Sequence, residues 1–200
     1  MCGSWPSGGG RQWMRGRRGP GRKRGIEYHN KYVSQISVQG KDTMNIYIAS
    51  SWRNDRQPEV VDVLRGEGHE VYDFRHPAPG DDGFHWSEID REWQRWTAEQ
   101  YRAGLGHPLA QRGFACDMRA MEGCDAVVAV QPFGRSASLE LGWACGAGKL
   151  TVLLLAEGQE PELMVKMCDY ICLSLPEVVA VLHGEQAYVD RYGRQVELRL

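Results

Sequence analysis

A chain of 200 residues with 42% apolar residues is long enough for one domain with a real core, and it has no apolar run near the ~20 residues a membrane span requires. Its formal net charge of −2 is unevenly spread: residues 1–43 carry nine Lys/Arg against two Asp/Glu, and residues 44–200 carry fifteen against twenty-four. The acidic body argues against a broad nucleic-acid surface, and the six cysteines, without CxxC pairs or zinc-like spacing, read as reduced thiols of a cytoplasmic protein.

In chain order, Gly8 to Gly25 is almost all Gly, Arg, Lys and Pro, so residues 1–43 are read as a disordered basic segment. They lack the apolar stretch of a secretory signal. Three readings stay open: a flexible arm touching nucleic acid or lipid non-specifically, an Arg-rich targeting peptide, or a stretch ahead of a true start at Met44. The last is preferred, because Met44 directly precedes the first convincing strand. Residues 44–183 form the expected domain and 184–200 a polar tail.

Asn45–Ser50 reads as a buried strand. Pro58–Glu67 has apolar residues at Val60, Val61 and Leu64, a helical spacing that Gly68 ends. His69–Phe74 is a second strand, followed by a Pro/Gly/Asp loop from His76 to Gly83. Ser87 reads as the cap of a helix whose Trp86, Ile89, Trp93 and Trp96 fall on one stripe. Another helix is predicted from about Pro108 to Glu122. Ala126–Val130 and Leu150–Leu155 are apolar throughout, as central strands of a parallel sheet are. A helix at Ser138–Ala147 lies between them, and Tyr170–Leu173 and Pro176–Leu182 add a last strand and helix. Alternating strands and helices predict an α/β fold, a Rossmann-like (flavodoxin-like) parallel sheet of about five strands with helices on both faces. Ligands of such sheets bind beyond the carboxyl ends of the strands, here Ser50–Asn54, Phe74–Trp86 and Gln131–Ser138.

Three stretches carry chemistry. In Gln131–Lys149, the residues Gly134, Arg135, Ser136 and Ser138 offer backbone N–H groups, hydroxyls and a guanidinium at a helix start, which suits an anion such as phosphate. Glu140 is expected in the first turn, where the helix dipole would keep it ionised as a nucleophile or electrostatic stabiliser; an ordinary acidic helix residue is the competing reading. In Cys116–Val130, Asp117 and Asp125 stand eight residues apart. Asp117 is on the helix face toward the sheet, where a carboxylate is costly unless it is used or paired, for instance with Arg112 or Arg119. In Ile46–Asn54, Tyr47 interrupts an aliphatic strand and needs a hydrogen-bond partner, and Ser50, Ser51, Arg53 and Asn54 make a donor-rich loop.

Together these residues resemble the nucleoside 2'-deoxyribosyltransferases and the related 2'-deoxynucleoside 5'-monophosphate N-hydrolases, over about residues 44–155. The resemblance rests on Tyr47 in the first strand, Ser51-Trp52-Arg53 after it, the Asp117/Asp125 pair, and Glu140-Leu141-Gly142-Trp143-Ala144. The transferases place an aspartate six residues before the nucleophilic glutamate to hold the sugar 5'-hydroxyl; here that position is Gly134, followed by Arg135 and Ser136. Losing an acid and gaining donors favours a 5'-phosphate.

The resemblance implies cleavage of an N-glycosidic bond through an oxocarbenium-like transition state. Glu140 would be the nucleophile, Asp117 the group delivering a proton to the base, and Tyr47 the residue orienting Glu140. Ser51, Arg53, Arg135, Ser136 and Ser138 would bind phosphate, with Ser50 and Gly134 beside them, and Trp52 and Trp86 would flank the base. No metal or cofactor is required, and a homodimer or larger assembly, with a small-molecule nucleotide as its partner, is expected. A base-exchanging deoxyribosyltransferase is the alternative. A non-catalytic nucleotide-binding module or an NAD-cleaving relative is the second. The long insertion Pro77–Gly106 is expected to shape the base pocket.

Overall fold

The computed structural model describes residues 43–184. The expectations for the basic N-terminal segment, including Cys2, and for the C-terminal tail therefore lie outside the described residues, except at Thr43 and Gly184.

Five strands are hydrogen-bonded in parallel: β1 (Asn45–Ala49), β2 (Glu70–Tyr72), β3 (Ala126–Val130), β4 (Leu150–Leu154) and β5 (Tyr170–Cys172), in the order β2-β1-β3-β4-β5. This is the doubly wound, flavodoxin-like order anticipated from the sequence. Alternation along the strands divides the core in two. Ile46, Ile48, Val128, Val152 and Leu154 face α1 (Gln57–Gly66) and α5 (Leu175–Leu182). Tyr47, Ala49, Val127, Ala129 and Leu153 face α3 (Pro108–Gly123) and α4 (Arg135–Ala147). Every residue of β3 and β4 is buried, which accounts for their unbroken apolar sequence. Among the described residues no helix is long and apolar enough to cross a membrane.

The strand order reverses between β1 and β3, and a crevice opens beyond their carboxyl ends. Asn54 fixes this edge. Its side-chain amide donates to Ser50 Oγ and to the Val130 carbonyl, both at 2.9 Å, and its Oδ1 accepts from the Arg56 N–H at 3.0 Å. Asn54→Ala removes three buried or half-buried hydrogen bonds at this edge, leaving Ser50 Oγ and the Val130 carbonyl bonded only to each other, and should lower unfolding free energy in urea by about 1–3 kcal/mol.

Two expectations are corrected. The tryptophans do not form a helical stripe. Trp86–Glu88 and Trp93–Arg95 are separate 3-10 turns, and α2 starts only at Ala98, running to Gly104. Asp90 breaks the helix by accepting from the Glu92 N–H and from Trp96 Nε1, at 2.8 and 2.6 Å. His85, not Ser87, caps the first turn, and Thr97 with Gln100 forms the capping box of α2. Second, α4 begins three residues earlier than expected, with Gly134 as its N-cap. Glu140 is therefore in the second turn rather than the first.

Candidate active site

The crevice is a cavity of about 550 Å³, with walls from five parts of the chain. The β1–α1 loop contributes Ser50, Ser51, Trp52 and Arg53. The end of β2 contributes Tyr72 and Phe74. The segment before α2 adds Phe84, His85, Trp86 and Trp93, as expected of the long insertion. Helix α3 supplies Arg112, Cys116 and Asp117, and α4 supplies Gly134, Arg135, Ser136, Ala137 and Glu140.

Part of the cavity wall is aromatic. Trp52 packs edge-on against Phe74 at 5.3 Å and against the His85 ring at 4.2 Å. Arg75 lies over Trp52 and Phe74, and its guanidinium donates to the carbonyls of Ser51 and Asn54, each at 2.9 Å, tying the β1–α1 loop to β2. Gly83 lets the chain pass behind Trp52. Its φ is +73°, and a Cβ there would meet the Phe74 carbonyl oxygen at 2.3 Å. Trp86 contacts Phe84 and Trp96, so part of its surface is committed to the wall.

The cavity also holds basic groups and a helix start. Gly134 provides no side-chain cap, so the first N–H groups of α4 open toward the cavity with the positive end of the helix dipole. Arg53 and Arg135 line the cavity without a side-chain hydrogen bond or ion pair among the described residues. The expected role of Ser138 does not fit: it is exposed, lies outside the cavity, and turns its hydroxyl back onto the Gly134 carbonyl at 3.1 Å. The Ser50 hydroxyl is likewise spent on the Val130 carbonyl at 2.9 Å, so Ser50 shapes the wall and holds two strands together.

The two carboxyls line the same cavity. Burial raises Glu140 to about 7; repulsion from Asp117 adds to the rise, and the nearby Tyr47 hydroxyl opposes it. The dipole expected to hold Glu140 ionised fades beyond the first turn, and desolvation works against it, favouring the protonated form. Asp117 is also raised by burial, and a hydrogen bond from Tyr72 pulls it the other way. Arg112 pairs with Asp81 and Arg119 donates to Cys116 Sγ, so neither neutralises Asp117 as the competing reading had it. Asp125 holds the fold, its Oδ2 accepting from the Asn45 N–H at 2.9 Å.

Tyr47 does not line the cavity. It is fully buried behind it, stacked on Tyr72, and its hydroxyl has no partner at hydrogen-bonding geometry. The expected Tyr47–Glu140 hydrogen bond is therefore not closed, although each group affects the other's ionisation and Tyr47 is held far above the ordinary phenol range by burial.

No protein-family model and no curated protein matches the sequence. Solved structures similar to the chain include a 2-deoxyribosyltransferase from Bacillus psychrosaccharolyticus. It is 21% identical over 67% of this chain and 89% of that one, with a TM-score of 0.41. Another is the CMP N-glycosidase BcmB of Clostridium botulinum, 18% identical over 68% of this chain and 95% of that one, with a TM-score of 0.38.

Sequence reasoning missed Tyr72, Arg75 and His85. Tyr72 left a signal: the strand starts Asn-Ile-Tyr and Glu-Val-Tyr match in pattern, and parallel pairing sets their tyrosines side by side. Arg75 and His85 left none, because their roles depend on where Trp52 folds.

Proposed function

We propose that the protein is an N-glycoside hydrolase of nucleoside 5'-monophosphates. One observation carries the reading: two half-buried carboxyls, Glu140 and Asp117, share one cavity with an aromatic wall, an uncapped helix start and two arginines that have no side-chain partner among the described residues. The aromatic wall suits a base, and the helix start with Arg53 and Arg135 suits a phosphate dianion. The sugar carbon then lies between them, within reach of the carboxyls.

In this mechanism the Glu140 carboxylate attacks the anomeric carbon as the glycosidic bond breaks. The bonding electrons leave with the base, which takes the proton of Asp117. Water then attacks the glycosyl ester, Asp117 receives the water proton, and Glu140 departs as carboxylate. The step draws on the form in which Glu140 is ionised and Asp117 carries the proton; repulsion of Glu140 by ionised Asp117 disfavours the form in which both are charged.

The test is free-base release from a panel of nucleosides, nucleoside 5'-monophosphates and NAD, with and without a second free base. Release from monophosphates into water, at least tenfold faster than from nucleosides, is the expected result. Base exchange that outpaces release would give the transferase instead. Cleavage of NAD alone, or binding without turnover, would reject the proposal.

A further inference from the structure

The parallel register of β1 and β2 pairs Tyr47 with Tyr72, and their rings stack at 5.4 Å with 13° between the planes. Tyr72 faces the cavity with Asp117, and its hydroxyl donates to Asp117 Oδ1 at 2.8 Å. Resting on the glycosidase reading above, we infer that Tyr72 is a positioning residue for the proton donor, fixing one oxygen of Asp117 so that the other faces the departing base.

The surroundings leave this task to Tyr72. The basic residues nearest in sequence on α3 are engaged elsewhere, Arg112 with Asp81 and Arg119 with Cys116. The other titratable groups that act on this pair are Glu140 from α4, Tyr47 from β1, Cys116 from α3 and Asp81 from the loop before α2. All carry negative charge when ionised, so none of them steadies an Asp117 anion. A carboxyl bonded through Oδ1 carries its proton on Oδ2. As that proton moves to the base and charge grows on Asp117, the phenol bond strengthens, so it helps the transition state more than the ground state. Stacking on buried Tyr47 holds the phenol ring in place.

Removing the hydroxyl takes away a group that favours ionised Asp117, so the pKa of Asp117 rises further and the alkaline limb of the rate profile moves to higher pH. Tyr72→Phe keeps the ring and its stack. On the nucleotide that the wild type cleaves fastest, it should lower kcat at least tenfold, with KM changed less than threefold. In an Asp117→Asn background the same substitution should cost less than twofold, because the tyrosine acts through the aspartate. A fluorinated tyrosine at position 72, a stronger donor of nearly the same shape, should move the alkaline limb to lower pH. Equal losses in both backgrounds, a rise in KM with kcat intact, or an alkaline limb that moves with neither replacement would overturn the inference while leaving the glycosidase standing. A wild-type protein that releases no base from any nucleotide would overturn both.

Discussion

Glu140→Gln abolishes base release, with a loss of at least about 10³-fold in kcat, and at the same time makes the protein more stable. The two effects share one cause. The carboxyl proposed as the nucleophile is partly buried in a site that raises it to about 7, so the folded chain holds its proton more tightly than the unfolded chain does. Raising the pH from about 4.5 through about 7 then removes stability from the wild type, because ionising Glu140 is harder in the fold than in the open chain. The amide does not titrate. The variant and the wild type should match closely near pH 4.5, and the variant should gain across that window and hold its gain above it. One pKa unit is about 1.4 kcal/mol, so a gain on the order of 1–3 kcal/mol is expected at pH 8. Urea unfolding at pH 5 and pH 8, beside the base-release assay, checks both halves. The acid limb of kcat/KM in the wild type should fall near neutrality, as a property of the Glu140–Asp117 pair rather than of one residue. A variant that is inactive yet no more stable at pH 8 than at pH 5 would mean that Glu140 is not strained by burial.

The parts of this molecule that were legible in its sequence are those set by local pattern. The unbroken apolar runs of β3 and β4 gave central parallel strands, and Gly68 stood where a helix stops. The tryptophan stripe misled because a helical spacing was already present when Asp90 turned the chain; the Thr97–Gln100 capping box named the true helix start and was the better signal. The site was legible as a set of residues and less so as a set of states. Asp117 and Glu140 do meet in one cavity, but the charge on Glu140 depends on how deeply it is buried and on which turn of α4 it occupies. Ser138 reads in the sequence as a phosphate-binding residue at the helix start, and the chain starts that helix earlier, with Gly134 as its N-cap. Of the aromatic wall, the sequence points to Trp52 and Trp86 but not to Phe74 and His85, since they meet Trp52 only through tertiary folding.

Replacing both Arg53 and Arg135 by Ala should collapse turnover of 5'-monophosphates while sparing the corresponding nucleosides. Both guanidiniums line the cavity without a partner among the described residues, and they flank a helix start whose N–H groups are uncapped. A charge-assisted hydrogen bond contributes roughly 1.5–3 kcal/mol, so each arginine lost should cost about 10- to 100-fold in kcat/KM for a phosphorylated substrate. Losing both should cost about 10²- to 10⁴-fold. A nucleoside has no dianion to place there, so its slower turnover should change by less than about threefold. The ratio of the two activities is therefore the quantity to measure, because misfolding would lower both alike. Added inorganic phosphate should inhibit the wild type and not the double variant, if it occupies the same end of the cavity. Should both substrates fall together with the fold intact, the arginines would serve the architecture of the crevice, and the preference for a phosphate over the free hydroxyl would have to come from the backbone of α4 alone.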